Sequence, residues 1–152
     1  MKKLTVLFFL CIIPFIANAT ISEMSFGKWN IKFDDETKRA EFVKEGVTVL
    51  KDVKIKFKNG DVLLDASSYN SVKIKQEDIV DEVGKARKFT IEYTGSENSD
   101  NPIVYQNFYL YDGQDYFLTD VILQSPDNSI ISSNYIAPIS TEADNLFLPA
   151  DV

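Results

Sequence analysis

The stretch from Pro102 to Pro138, PIVYQNFYLYDGQDYFLTDVILQSPDNSIISSNYIAP, decides the fold. Two apolar, aromatic runs, Ile103 to Tyr111 and Tyr116 to Leu123, are separated by Asp112-Gly113-Gln114-Asp115, and a third run follows Ser125-Pro126-Asp127-Asn128. Glycine accepts the positive φ that tight hairpin turns require, so Asp-Gly between such runs marks a hairpin. The three runs are therefore expected to form the central antiparallel meander of an all-β protein.

Working outward, the same signature recurs. Trp29, Ile31 and Phe33 alternate with Lys28, Asn30, Lys32 and Asp34, the period of a half-buried strand. Asp34-Asp35-Glu36-Thr37 breaks that run as a turn, and Arg39 to Lys44 returns. The Asp-Asp-Glu group lacks the glycine and spacing of a calcium loop, so a solvated turn is the better reading. After Gly46, residues Val47, Val49, Val53, Ile55 and Phe57 share one parity and Thr48, Asp52, Lys54, Lys56 and Lys58 the other. Leu50 and Lys51 interrupt it, which predicts a bulge or turn near Lys51-Asp52. The lysine row could meet an anionic ligand, but on a strand it more often forms the wet face and discourages edge pairing.

Asn59-Gly60 is the second strong hairpin turn, leading into Val62-Leu63-Leu64. Val72 and Ile74 alternate with Lys73 and Lys75, and Phe89, Ile91 and Tyr93 with Lys88, Thr90 and Glu92. Between them Gln76 to Arg87 has room for a helical turn, yet Val83-Gly84-Lys85 reads better as a turn between strands. Gly95 to Pro102, GSENSDNP, is a polar loop with no apolar anchor. With no long amphipathic helical pattern and turn signals at short intervals, the fold class expected is an all-β antiparallel sandwich.

The ends and the composition narrow the function classes. Met1-Lys2-Lys3, an apolar run from Leu4 to Ile16, and Ala17-Asn18-Ala19 make a secretory signal peptide over residues 1–19. Its apolar run is shorter than the ~20 residues that span a bilayer, so no membrane insertion is expected after cleavage. Cys11 as a lipidation site is disfavoured because Leu7-Phe8-Phe9-Leu10 lacks the small residues such processing needs. The expected product, residues 20–152, is exported, to the periplasm or beyond. Cys11 is the only cysteine and histidine is absent. The exported chain thus has neither a disulfide nor a thiolate nucleophile, and serine–histidine hydrolysis and ordinary zinc catalysis are closed to it. No cofactor and no metal are expected. Lys2 and Lys3 leave with the signal, so 14 basic residues face 23 acidic ones, a net charge of −9 that disfavours nucleic acid.

The segment order resembles the N-terminal β-sandwich domain of secreted bacterial glycoside hydrolases of the α-galactosidase type, which precedes a (β/α)-barrel. The residues that carry the resemblance are Trp29-Asn30-Ile31-Lys32-Phe33-Asp34, the pair of strands from Gly46 to Phe57, Phe108-Tyr109-Leu110-Tyr111, Asp115-Tyr116-Phe117, and above all Ile131-Ser132-Ser133-Asn134-Tyr135-Ile136-Ala137-Pro138-Ile139. The last places a polar Ser-Ser-Asn step inside an apolar strand. The resemblance implies a supersandwich-like domain, of which residues 20–152 are the first part, incomplete at the C-terminal side. It implies carbohydrate breakdown only together with a barrel domain of the same enzyme, which carries the two catalytic carboxylates; no βαβα pattern begins before Val152, so no catalytic residue maps onto this chain. Bare apolar surface at Ile130-Ile131, Tyr135-Ile136 and Leu146-Phe147-Leu148 is then expected, with marginal stability or self-association.

Tyr105, Tyr109, Tyr111 and Tyr116 lie near the Asp112-Gly113 turn with Asn107, Gln114 and Asp115. Aromatic faces beside amides and carboxylates hold sugars, whereas strand tyrosines also pack for their own sake. The substrate-binding candidates are Asn134, Tyr135, Tyr111 and Asp115. Asn134 is the strongest candidate for a pocket contact, though a strand-end amide that satisfies a backbone group is the better reading of it. The competing classes are a free-standing exported β-sandwich that binds carbohydrate or a protein partner, and a cell-envelope structural module with no ligand.

Overall fold

A computed structural model describes residues 20–142. The expected signal peptide, residues 1–19, and the apolar Leu146-Phe147-Leu148 lie outside the described residues. Among the described residues there are ten strands: β1 (Ile21–Phe26), β2 (Trp29–Asp34), β3 (Arg39–Lys44), β4 (Val47–Asn59), β5 (Val62–Asp65), β6 (Tyr69–Val80), β7 (Lys85–Ser96), β8 (Ile103–Tyr111), β9 (Phe117–Gln124) and β10 (Ile136–Ser140). They form two antiparallel sheets, one ordered β1-β2-β3-β4-β10 with β5 also on β4, the other ordered β6-β7-β8-β9. The chain is an all-β sandwich, as the alternation predicts.

Each alternating run places its apolar parity between the sheets. Trp29, Ile31 and Phe33 of β2, Val53, Ile55 and Phe57 of β4, and Phe89, Ile91 and Tyr93 of β7 all belong to one buried cluster. Phe42 of β3 joins the layers, with its ring 5.2 Å from Phe108 and 5.0 Å from Phe117. A buried polar relay joins them as well. Tyr93 Oη donates to Gln106 Oε1 at 2.8 Å, and Gln106 Nε2 donates to the Pro138 carbonyl at 2.7 Å, tying β7 and β8 to β10 of the other sheet.

The turns follow local chemistry. Asp34 Oδ1 accepts from the Glu36 and Thr37 amides and closes the β2–β3 turn. Gly60, at φ 59°, sits in the two-residue β4–β5 turn between Asn59 and Val62. The expected irregularity at Lys51-Asp52 is a register shift between Phe42↔Leu50 and Ala40↔Val53, with Asp52 at φ 51°. The alternative helical turn within Gln76 to Arg87 does not form, because β6 runs to Val80 and β7 starts at Lys85. The alternation does not reveal one strand: β1 precedes the Gly27-Lys28 turn and pairs with all of β2.

The expected three-stranded meander forms only in part. β8 and β9 pair in continuous register from Ile103↔Gln124 to Leu110↔Phe117, as expected. The third run instead leaves this sheet and pairs through β10 with β4, Ile136↔Phe57 and Ser140↔Lys54. The free edge of the second half of β4 accepts the run, and Gln106 fixes its carbonyl from the opposite layer. Ser132-Ser133-Asn134 likewise precedes β10 and does not interrupt a strand, contrary to the expectation.

Candidate functional site

The β4–β5 turn, the 3-10 turn Ala66–Ser68 and the β7–β8 loop meet at one end of the sandwich and enclose an open cleft of about 710 Å³. On one wall, the Gly60 amide donates to the Ser132 carbonyl at 2.7 Å and the Lys58 amide to the Tyr135 carbonyl at 2.9 Å, which hold the segment before β10 beside the tip of β4. Asn59 Nδ2 donates across to the Asp100 carbonyl at 3.2 Å, joining turn to loop. The loop is set by its own side chains: Asn98 Oδ1 accepts from the Asp100 amide at 3.0 Å, and Asn101 Nδ2 donates to Ser96 Oγ at 2.7 Å. Beneath, the Tyr69 hydroxyl, its pKa pushed up by burial, donates to the Pro102 carbonyl at 2.7 Å.

Asp65 caps the 3-10 turn that forms the third wall. It accepts from the Ser67 amide at 2.9 Å and from Lys54 Nζ at 2.7 Å. Burial pushes its carboxyl pKa up, but the Lys54 and Ser67 hydrogen bonds together outweigh this, and the net shift is downward. Its charge is therefore matched within the fold.

What the cleft leaves unspent is a set of neutral amides and hydroxyls beside carboxylates. Asn70, Glu97 and Ser132 line it, and their side chains make no hydrogen bond among the described residues; the Asn98 amide nitrogen is also unused. Val62 and Ile130, 61% and 97% exposed, add apolar surface at the rim. Such a lining can donate to and accept from several hydroxyl groups at once. Glu97 and Asp100 are exposed residues of the loop. Among the described residues no group of three or more acidic side chains could hold a metal ion.

The four sequence-chosen residues are not brought together. Asn134 and Tyr135 stand at the cleft end, both exposed, with the Tyr135 carbonyl used by Lys58 and by Ser133 Oγ. The Asn134 side chain makes no hydrogen bond among the described residues, so the strand-end backbone role does not apply to it. Tyr111 and Asp115 sit at the other end of the sandwich, roughly 30 Å away along β4 at ~3.3 Å per residue. Tyr111 is 2% exposed and donates to Asp81 Oδ2 at 2.6 Å; burial first, and then that carboxylate, push its pKa up to about 12. Asp115 Oδ1 lies 2.8 Å from Lys28 Nζ and 3.0 Å from Lys44 Nζ, and these partners hold its carboxyl below the usual range. Gly27 permits this clamp, since a Cβ there would stand 3.0 Å from the Tyr111 carbonyl. Tyr111 and Asp115 are thus engaged in fastening the β8–β9 turn to its neighbours.

The cleft residues were visible only as turn formers. GSENSDNP and Asn59-Gly60 carry the right side chains, but nothing local says that a turn of one sheet and a loop of the other close on one space. Protein-family models, curated proteins and solved structures were all compared with this chain, and none matches it.

Proposed function

We propose that the chain is a non-catalytic β-sandwich that binds carbohydrate in the open-end cleft. The observation that carries this is the unspent set of Asn70, Glu97, Asn98 and Ser132 side chains around a space of about 710 Å³. Sugars present many hydroxyls that both donate and accept, and neutral amides with a carboxylate satisfy them without a charge on the ligand.

The residues resembling the N-terminal sandwich of α-galactosidase-like glycoside hydrolases support a wider reading. There the chain is an exported unit that contributes to carbohydrate breakdown only beside a barrel domain. The alternative is a free-standing exported module that binds a glycan or a protein through the same cleft.

The test is a titration of isotope-labelled chain with galactose, an α-galactoside trisaccharide and unrelated oligosaccharides, followed by amide chemical shifts. Saturable changes confined to Asn59–Gly60, Asn70, Glu97–Asn101 and Ser132 are expected, and Asn70→Ala with Glu97→Ala should weaken binding by about tenfold or more. No shift with any glycan, or shifts unchanged by the paired substitution, refutes the proposal.

A further inference from the structure

The two edges of the β6-β7-β8-β9 sheet are treated differently by the sequence. β6 carries Lys73, Lys75, Glu77 and Asp78 along its length, the charged guarding expected of an open edge. β9 has no lysine, no proline and no bulge, and pairs with β8 without a register shift. Among the described residues its backbone makes no hydrogen bond outside that pairing. Its outward parity is Leu118, Asp120 and Ile122, with Leu118 44% and Ile122 53% exposed.

β8 completes the pattern. Leu118 stands opposite Tyr109, Asp120 opposite Asn107, and Ile122 opposite Tyr105, so two apolar pads flank a carboxylate and an amide. Asn107 is 2% exposed, although it lies on the side of the sheet away from the core. Its side chain is held by Thr90 Oγ1 at 2.7 Å and donates to Asp120 Oδ1 at 2.6 Å, while Tyr109 Oη donates to Asp120 Oδ2 at 2.6 Å. The half-buried carboxylate is therefore oriented by neutral donors alone. Two acidic side chains that β6 and β7 carry on this face do have cations: Glu77 pairs with Lys88 at 3.5 Å, and Glu92 with Lys73 and Lys75 at 3.7 and 3.8 Å. Asp120 forms no ion pair among the described residues.

We infer that β9 is a docking edge for an extended segment of a protein partner, added as a fifth strand, with an arginine or lysine opposite Asp120 and apolar residues two places to either side. Strand addition satisfies the open backbone groups, and the cross-strand side chains set the choice of partner. A cation supplies the charge that Asp120 lacks among the described residues, and arginine can use both carboxylate oxygens. Charge argues against a second copy of this chain. The antiparallel register that stacks Leu118 on Ile122 sets Asp120 against Asp120, and the neighbouring registers set it against Leu118 or Ile122.

The probe is a nine-residue peptide, Ser-Thr-Ile-Thr-Arg-Thr-Ile-Thr-Ser, with a second in which glutamate replaces the arginine. Each is titrated into isotope-labelled chain while amide shifts and hydrogen exchange are followed. The expected result is saturable change and slowed exchange from Phe117 to Gln124 with the first peptide, and binding at least about tenfold weaker with the second. Asp120→Asn should weaken the arginine peptide by a similar factor. Leu118→Lys, which leaves the Asn107–Asp120–Tyr109 network in place, should weaken it too if Asp120→Asn proves unstable. Equal binding of both peptides, or none, overturns the inference. Shifts at Tyr105 and Tyr109 with an oligosaccharide and not with peptide overturn it in favour of a glycan platform. Concentration-dependent broadening along β9 without peptide overturns it in favour of self-pairing.

Discussion

Gln106 offers the sharpest check of how the two sheets are held together. It is 2% exposed and spends both ends of its amide, accepting from Tyr93 Oη and donating to the Pro138 carbonyl. In Gln106→Met the volume is nearly kept and both hydrogen bonds go. The Tyr93 hydroxyl, on a residue 1% exposed, is then buried without a partner, at a cost of ~1–3 kcal/mol. The half-buried Pro138 carbonyl can reach water, so its loss costs less, ~1 kcal/mol. Extra apolar burial by methionine returns ~1 kcal/mol, leaving a net destabilisation of ~2 kcal/mol. With a urea slope of ~2 kcal/mol/M, the midpoint should fall by ~1 M. The informative step is the second substitution. Tyr93→Phe in the Gln106→Met background removes the orphaned hydroxyl and should raise the midpoint again, whereas Tyr93→Phe alone lowers it by stranding the Gln106 carbonyl. Hydrogen exchange at Ile136 and Ile139 should quicken in Gln106→Met. If Tyr93→Phe further destabilises Gln106→Met, the relay is not what couples the layers.

Phe42→Ala removes a ring 0% exposed that meets both Phe108 and Phe117, and should cost ~3–5 kcal/mol by chemical denaturation; a loss near that of an exposed site such as Leu118→Ala would contradict the packing. The folded-state pKa of Asp65 is lowered, so its contribution is present above the ordinary carboxylate value of 3.8 and fades as pH falls through the folded value. Lys54→Met should therefore flatten the dependence of stability on pH below about 4, where the unfolded aspartate takes up its proton, and an unchanged slope would count against the Lys54–Asp65 pair. The Asp115 carboxyl should titrate below the usual range by carbon-detected NMR and return toward it when Lys28 and Lys44 are both changed to alanine; a midpoint unaffected by both changes would dissolve the clamp.

What is local in this protein was legible in the chain. Strand periodicity depends only on which face of a pleat is dry, so the parities of Trp29, Ile31 and Phe33 and of Val53, Ile55 and Phe57 already named their core residues. Turn chemistry is equally local, as at Asp34 and Gly60. The sequence by itself thus determined the all-β class, the inward faces and most turns. Which edge a strand joins is not local. The run after Asn128 carries the same alternation whether it extends the β8–β9 hairpin or crosses to β4, and the choice rests on a free edge of β4 and the buried amide of Gln106. For the same reason Tyr111 and Asp115, near Asn134 and Tyr135 in sequence, lie at the opposite end of the sandwich, and their side chains are spent on Asp81, Lys28 and Lys44. Only the tertiary structure brought Asn70, Glu97, Asn98 and Ser132 around one space, because a site between connections of two sheets exists only once the sheets have packed.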